Sequence, residues 1–318
     1  MNATAPFDPG GNVSAAARLT GVQPDGLLDF SANINPLGLP AAVAPALRAA
    51  MDKIVHYPDA EAATLKEAIS RRYGVDPGFI TCGNGAAELL YVLCHMRRPR
   101  RALVAAPTFS EYERSARASG AAVEYFPLVA ADGFAFDPAA FAARLGGVDI
   151  AFLCTPNNPT GRLIPRADIE AVLADAGRRG VLVVVDESFL PFLPDAADHT
   201  CRPLLAAHPH LVILQSLTKF YAIPGLRLGF LLAAPAIGAP GRPSLSYGEL
   251  RALARRCVSE INAMGLVDEI LHYVFSLYRR DVNPFVLNQA YAWLVNQLGR
   301  NAVDRDRTGC RHQVDVAR

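Results

Sequence analysis

The sequence predicts an α/β fold: a mostly parallel sheet wrapped by helices, followed by a smaller, helical C-terminal part. Three observations predict it. Short aliphatic runs alternate with stretches of helical period through the middle of the chain. Two of those runs, 181-VLVVVD and 211-LVILQ, are continuously apolar, as strands covered on both faces are. Beyond residue 235 the texture changes to a segment rich in Gly, Pro and Ser, 236-AIGAPGRPSLSYG-248, with long helical periods after it.

In chain order, strands are expected at 78-GFITCG, 101-RALVAAP, 122-AVEYFPL, 148-VDIAFLCTP, 181-VLVVVDES and 211-LVILQS. Between them, 86-AAELLYVLCHM and 163-LIPRADIEAVLADAGRRG carry the apolar spacing of amphipathic helices. Strands alternating with helices in this way build a parallel sheet with helices on its faces. Two further helical patterns follow, 249-ELRALARRCVSEINAMGLVDEILHYVFSLYRR-280 and 284-PFVLNQAYAWLVNQLG-299, and residues 300 to 318 are polar.

The 318 residues, 51% hydrophobic and 19% charged, are enough to bury a sizeable core. A net charge of +1 with scattered arginines gives no reason to expect a nucleic-acid partner. Six cysteines, Cys82, Cys94, Cys154, Cys201, Cys257 and Cys310, include no C-x-x-C pair, so neither a zinc site nor a disulfide framework is expected. The first 19 residues lack a basic start with an apolar core, and the longest aliphatic run, Val181 to Val185, is too short to span a bilayer. A cytoplasmic protein without membrane contact is the expectation.

Polar or ionisable residues stand where the strand runs end: Asn84, Thr108, Asn157, Asn158, Asp186, Ser216 and Lys219. In open α/β sheets ligands bind beyond the carboxyl ends of the strands, so this set is expected to converge on one crevice. Each member alone also reads as a helix cap or turn former.

A lysine used covalently needs an electrophile, and in an α/β crevice the best-known one is the aldehyde of pyridoxal phosphate. That cofactor also needs donors for its phosphate, an acid for its pyridine nitrogen and a surface for its ring. For the phosphate, 83-GNGAAELL-90 sets a glycine turn before a helical pattern, Ser216 and Thr218 add hydroxyls, and Arg227 adds a forked cation. For the nitrogen, Asp186 ends the most apolar strand, where a carboxylate is costly without a positive partner. A helix N-cap or the partner of a nearby arginine is the plain alternative for it. Phe109 in 107-PTFSEY-112 is placed to stack or to fill the core, and Asn158 in 156-PNNPTG-161 to bond the ring's phenolic oxygen or simply to turn the chain.

Taken together and in this order, N-x-G-A, P-T-F, N-P-T-G, D-E-S-F and S-L-T-K-x-x-x-x-P-G-L-R-L-G resemble the aspartate aminotransferase superfamily of pyridoxal-phosphate enzymes, the fold type I group, from about Gly10 to Pro235. The resemblance implies a cofactor-binding large domain over 41–235, an N-terminal arm or small-domain segment over 1–40, and a helical region over 236–318 standing as a partial or atypical small domain. It makes Ala86, Ala87, Ser216, Thr218 and Arg227 phosphate ligands, Phe109 the ring stacker, Asn158 and Asp186 the ring partners, and Lys219 the amine bonded to the aldehyde. It also implies a homodimer, with Tyr57 of 56-HYPD-59 reaching the phosphate of the neighbouring copy.

Within the superfamily, 28-LDFSANINPLGLP-40 and 107-PTFSEYERSARASG-120 are most similar to threonine-phosphate decarboxylases of cobalamin biosynthesis, with histidinol-phosphate aminotransferases as close relatives. Substrate contact from Asn33 goes with this likeness. Phe189 stands where many aminotransferases have a tyrosine bonding the ring oxygen, which leans toward the decarboxylase. The expected activity is decarboxylation of L-threonine O-3-phosphate to aminopropanol phosphate. The alternatives are transamination of the histidinol-phosphate type, or cofactor binding without turnover. Two departures bear on the choice: Pro9 in 9-PGGN-12 replaces the histidine usual in the decarboxylases, and no segment after Pro235 matches the half of the small domain that supplies arginines for the substrate carboxylate. Arg279, Arg280, Arg307 and Arg311 are available cations there, none singled out by its spacing.

Overall fold

A computed structural model describes residues 11–235 of the chain. Seven strands form one sheet: β1 (Ile80–Gly83), β2 (Arg101–Ala106), β3 (Ala122–Pro127), β4 (Ile150–Cys154), β5 (Leu182–Asp186), β6 (Leu211–Ser216) and β7 (Gly229–Ala233). Their spatial order is β1-β7-β6-β5-β4-β2-β3. Eight α-helices accompany them among the described residues: α1 (Val13–Thr20), α2 (Val43–Ala50), α3 (Ala63–Tyr73), α4 (Ala86–Arg97), α5 (Glu111–Ala118), α6 (Pro138–Ala143), α7 (Arg166–Arg179) and α8 (Ala196–His199). The expected helices at 249–280 and 284–299, Cys257, Cys310 and the four candidate arginines lie outside the described residues.

Every residue of β4, β5, β6 and β7 is buried, which is why these strands read as unbroken apolar runs. Val183, Val184 and Val185 are wholly out of water, each contributing roughly 1.5–3 kcal/mol by burial. Helix α7 presents Ile169, Val172, Leu173 and Ala176, all fully buried, at the spacing of one helical face. It ends on Gly180, whose φ of 70° few other residues adopt without strain.

All the expected strands are present, and β7 is an addition to them. It runs antiparallel to both β6 and β1, with Ser216 opposite Gly229 and Gly83 opposite Gly229 from the other side. The reversal gathers the carboxyl ends of β1, β4, β5 and β6 and the start of β7 at one edge of the sheet. No helix among the described residues is long and apolar enough to cross a membrane.

Candidate active site

A cavity of about 400 Å³ opens at that edge. Its size is within the range of small-molecule and cofactor sites. Residues at or just beyond the carboxyl ends of β1, β2, β4, β5 and β6 line it, with Ser31 and Asn33 of the N-terminal segment.

Helix α4 supplies Ala86 and Ala87. Gly85 precedes them at φ 91°, and no side chain caps the helix, so its first N–H groups are left for an anion. Arg227 packs on this turn so closely that a Cβ on Gly85 would come within 2.6 Å of its guanidinium. Gly229 is equally constrained: a Cβ there would lie 2.6 Å from the backbone nitrogen of Ala86. Both glycines allow the helix end, the guanidinium and β7 to share one small volume. Ser216 and Thr218, 2.7 Å apart at their hydroxyls, stand on the same cavity wall.

Asp186, at the end of β5, is 4% exposed. Its Oδ2 accepts from the Tyr112 hydroxyl at 2.7 Å, and its Oδ1 from the backbone N–H of Ser188 at 2.8 Å. Burial pushes its carboxyl above the ordinary range, while hydrogen bonds from Ser188 and Tyr112 pull the other way. Among the described residues no cation pairs with it and it caps no helix, so neither plain alternative for Asp186 describes its surroundings. The acid faces a cavity in which a positively charged partner is wanted.

Lys219 follows β6 and is half-buried on the same wall. Burial first, and then the charge of Arg227, hold its amine below the ordinary 10.5, with Asp29 acting in the opposite sense. The N-terminal segment is strapped across this lysine: Asn35 donates from its backbone to the Lys219 carbonyl at 3.0 Å and from its side chain to the Phe220 carbonyl at 2.8 Å. The strap carries Ser31 and Asn33 to the cavity, and the Asn33 amide donates to Asn158 Oδ1 at 3.4 Å. Phe109 and Phe189 complete the wall, and the buried Ser110 hydroxyl beside them has no partner among the described residues.

The structure thus brings together Asn33, Ala86, Ala87, Phe109, Asn158, Asp186, Ser216, Thr218, Lys219 and Arg227. Tyr57 is apart from them, 73% exposed and off the cavity wall. Two strand-end residues expected in the crevice are also elsewhere. The Asn84 N–H donates to the Glu88 carboxylate at 2.5 Å, shaping the turn before α4. Asn157 spends its side chain on the Pro107 carbonyl and on the hydroxyls of Thr108 and Thr160, beside a second cavity of about 290 Å³. Tyr112, Ser188 and Asn35 are contributors that sequence reasoning missed.

Fold and site together define a fold type I arrangement, in which a lysine, a buried acid and a helix-end anion site meet at one sheet edge. The chain belongs to the aminotransferase class I and II family, whose model matches residues 25–274. That match runs past Pro235, into residues where sequence reading found no counterpart. The chain is 43% identical over 223 residues to threonine-phosphate decarboxylase of Salmonella typhimurium, covering 70% of this chain and 61% of that protein. It is 31% identical over 240 residues to histidinol-phosphate aminotransferase 1 of Cupriavidus pinatubonensis, covering 74% and 63%. The crystal structure of L-threonine-O-3-phosphate decarboxylase from Porphyromonas gingivalis superposes with a TM-score of 0.55 at 28% identity, over 73% of this chain and 71% of that one. The chain spans about three-fifths of the length of the two curated relatives.

The cofactor of this fold and family is pyridoxal phosphate, and the donor set fits it. An uncapped helix end beside a guanidinium suits a phosphate, a buried acid lacking a cation suits a ring N–H, and a half-buried amine of lowered basicity suits an aldehyde.

Proposed function

We propose that the chain holds pyridoxal phosphate in this cavity and decarboxylates L-threonine O-3-phosphate to aminopropanol phosphate. The observation that carries the cofactor reading is the meeting of Asp186, Lys219 and the α4 end on one wall. The 43% identity to a threonine-phosphate decarboxylase supports the substrate. Phe189 on the wall, where many aminotransferases have tyrosine, favours decarboxylation over transamination.

Bound here, pyridoxal phosphate supplies an electron sink for the bond broken at the substrate's α-carbon. Ala86 and Ala87 N–H groups, the Ser216 and Thr218 hydroxyls and the Arg227 guanidinium hold its phosphate. Asp186, held by the Tyr112 hydroxyl and the Ser188 backbone N–H, would keep a proton on the ring nitrogen. Asn158 would donate to the ring oxygen, and Phe109 would give the ring a surface to stack on. Lys219 Nζ would be the amine that holds the aldehyde, and its lowered basicity would suit it to moving protons at the substrate's α-carbon. Asn33, on the strap, contacts substrate. A homodimer in the cytoplasm follows, with the exposed Tyr57 serving the site of the second copy.

Borohydride treatment of the protein loaded with pyridoxal phosphate is expected to fix the cofactor to the peptide containing Lys219, and Lys219→Ala to abolish the attachment. Labelling of another lysine overturns the cofactor site. With threonine phosphate, the expected product is aminopropanol phosphate. Keto-acid-dependent pyridoxamine phosphate instead marks an aminotransferase, and retained cofactor without either product marks binding without turnover. Sedimentation is expected to give a dimer, and a monomer holding cofactor tightly removes the role of Tyr57.

A further inference from the structure

Between the carboxylate at the end of β5 and the hydroxyl turn at the end of β6 lies one side chain that the proposed function leaves unused. Ser188 is 6% exposed and lines the cavity. Its Oγ accepts the backbone N–H of Ser216 at 2.9 Å. Its backbone N–H donates to Asp186 Oδ1 at 2.8 Å.

The position matters because the strand ladder ends there. The Glu187 N–H donates to the Leu214 carbonyl at 2.9 Å, the last rung between β5 and β6. Beyond it the buried Ser216 N–H needs an acceptor, and the Ser188 hydroxyl provides one. Ser216 in turn accepts from the Thr218 N–H at 3.3 Å and shares a hydroxyl contact with Thr218. Ser188 thus reaches both neighbours at once, Asp186 through its backbone N–H and Ser216 through its hydroxyl oxygen.

We propose that Ser188 is a positioning residue which sets the Asp186 carboxylate and the Ser216–Thr218 turn in one register, so that the two ends of the bound cofactor are gripped together. The inference rests on the cofactor reading above. Alanine at this position leaves the buried Ser216 N–H without its acceptor and so unties the turn after β6 from the residue that holds the carboxylate, and an unmet buried polar group costs about 1–3 kcal/mol.

The test uses the full chain and two half-ligands: pyridoxal, which lacks the phosphate, and inorganic phosphate, which lacks the ring. Ser188→Ala is expected to weaken binding of each by roughly 5- to 30-fold, in line with that hydrogen-bond cost. Ser188→Thr, which keeps the hydroxyl, is expected to restore both. Ser188→Cys, similar in size and a poor hydrogen-bond partner, gives the same reading should the alanine variant fail to fold. Weakening of only one half-ligand, or a folded threonine variant that restores neither, overturns the bridging role. Should wild-type protein bind neither pyridoxal phosphate nor the half-ligands, the cofactor reading falls too; wild-type binding with unchanged serine variants removes the Ser188 inference alone.

Discussion

The Tyr112 hydroxyl donates to Asp186 Oδ2 at 2.7 Å, and both side chains are shut off from water. The phenol is pushed well above its ordinary value by burial first and then by the Asp186 charge, so it remains a donor throughout the range in which proteins are handled. Its ring lies against Phe152, stacked at 5.4 Å and 11°, which fixes where the hydroxyl points.

Tyr112→Phe keeps that stack and removes one hydrogen bond to a buried charge. Urea denaturation of ligand-free protein at pH 7 is expected to show a loss of about 1.5–3 kcal/mol. The loss shrinks at a pH low enough to neutralise the carboxylate. A variant as stable as the wild type at pH 7 would mean that Asp186 is already uncharged there.

Asp186→Asn tests the cost of holding an acid in a dry wall. Since burial raises this carboxyl above 3.8, the folded state binds its proton more tightly than the unfolded chain. Its contribution to stability is therefore fully present below pH 3.8 and is lost as pH rises through the folded value, at about 1.4 kcal/mol per tenfold difference in proton affinity. Asparagine removes that decline, so ligand-free Asp186→Asn is expected to gain on the wild type in Tm between pH 4 and 8. Glu187 is also raised by burial and contributes a parallel decline in both proteins. A wild-type-to-variant difference that ignores pH contradicts the prediction.

The basicity of Lys219 is set partly by Arg227, and that is separable from phosphate binding. With pyridoxal as the probe no phosphate contact is involved, and borohydride trapping at Lys219 can be followed against pH. Arg227→Gln is expected to move the midpoint upward, because a charge that lowers the amine is gone. Asp29→Asn is expected to move it downward, because Asp29 acts in the raising sense. Shifts of the same sign in both variants contradict the assignment.

Legibility in the sequence followed distance along the chain. Asp186 and Lys219 could be picked out because each comes at or just after a continuously apolar strand, where an ionisable residue stands out locally. Tyr112 could not: its partner is 74 positions away, and a tyrosine on α5 reads equally as core. Asn35 lies 185 positions from the Phe220 carbonyl it holds, and nothing in 28-LDFSANINPLGLP-40 announces that pairing. Asn84 and Asn157 misled for the opposite reason, since polar residues at strand ends also serve turns. The strand β7 escaped because alternation of strands and helices predicts parallel neighbours, and β7 returns antiparallel through a loop with no helix longer than Pro224–Leu226.

The place of β7 between β6 and β1 has a consequence for how the chain is made. Among the described residues strand β1 has no neighbour in the sheet except β7, with Ile80 opposite Leu232. On the ribosome β1 therefore emerges early and waits, unpaired, while β2 to β6 are synthesised. The first turn of α4 waits with it, since Gly229 is the residue that backs Ala86. A nascent chain halted before β7 can hold paired central strands but has an open edge at β6 and a first turn of α4 without its backing strand. Translation thus closes the described part of this cavity wall only once β7, the last of the described strands, has left the exit tunnel.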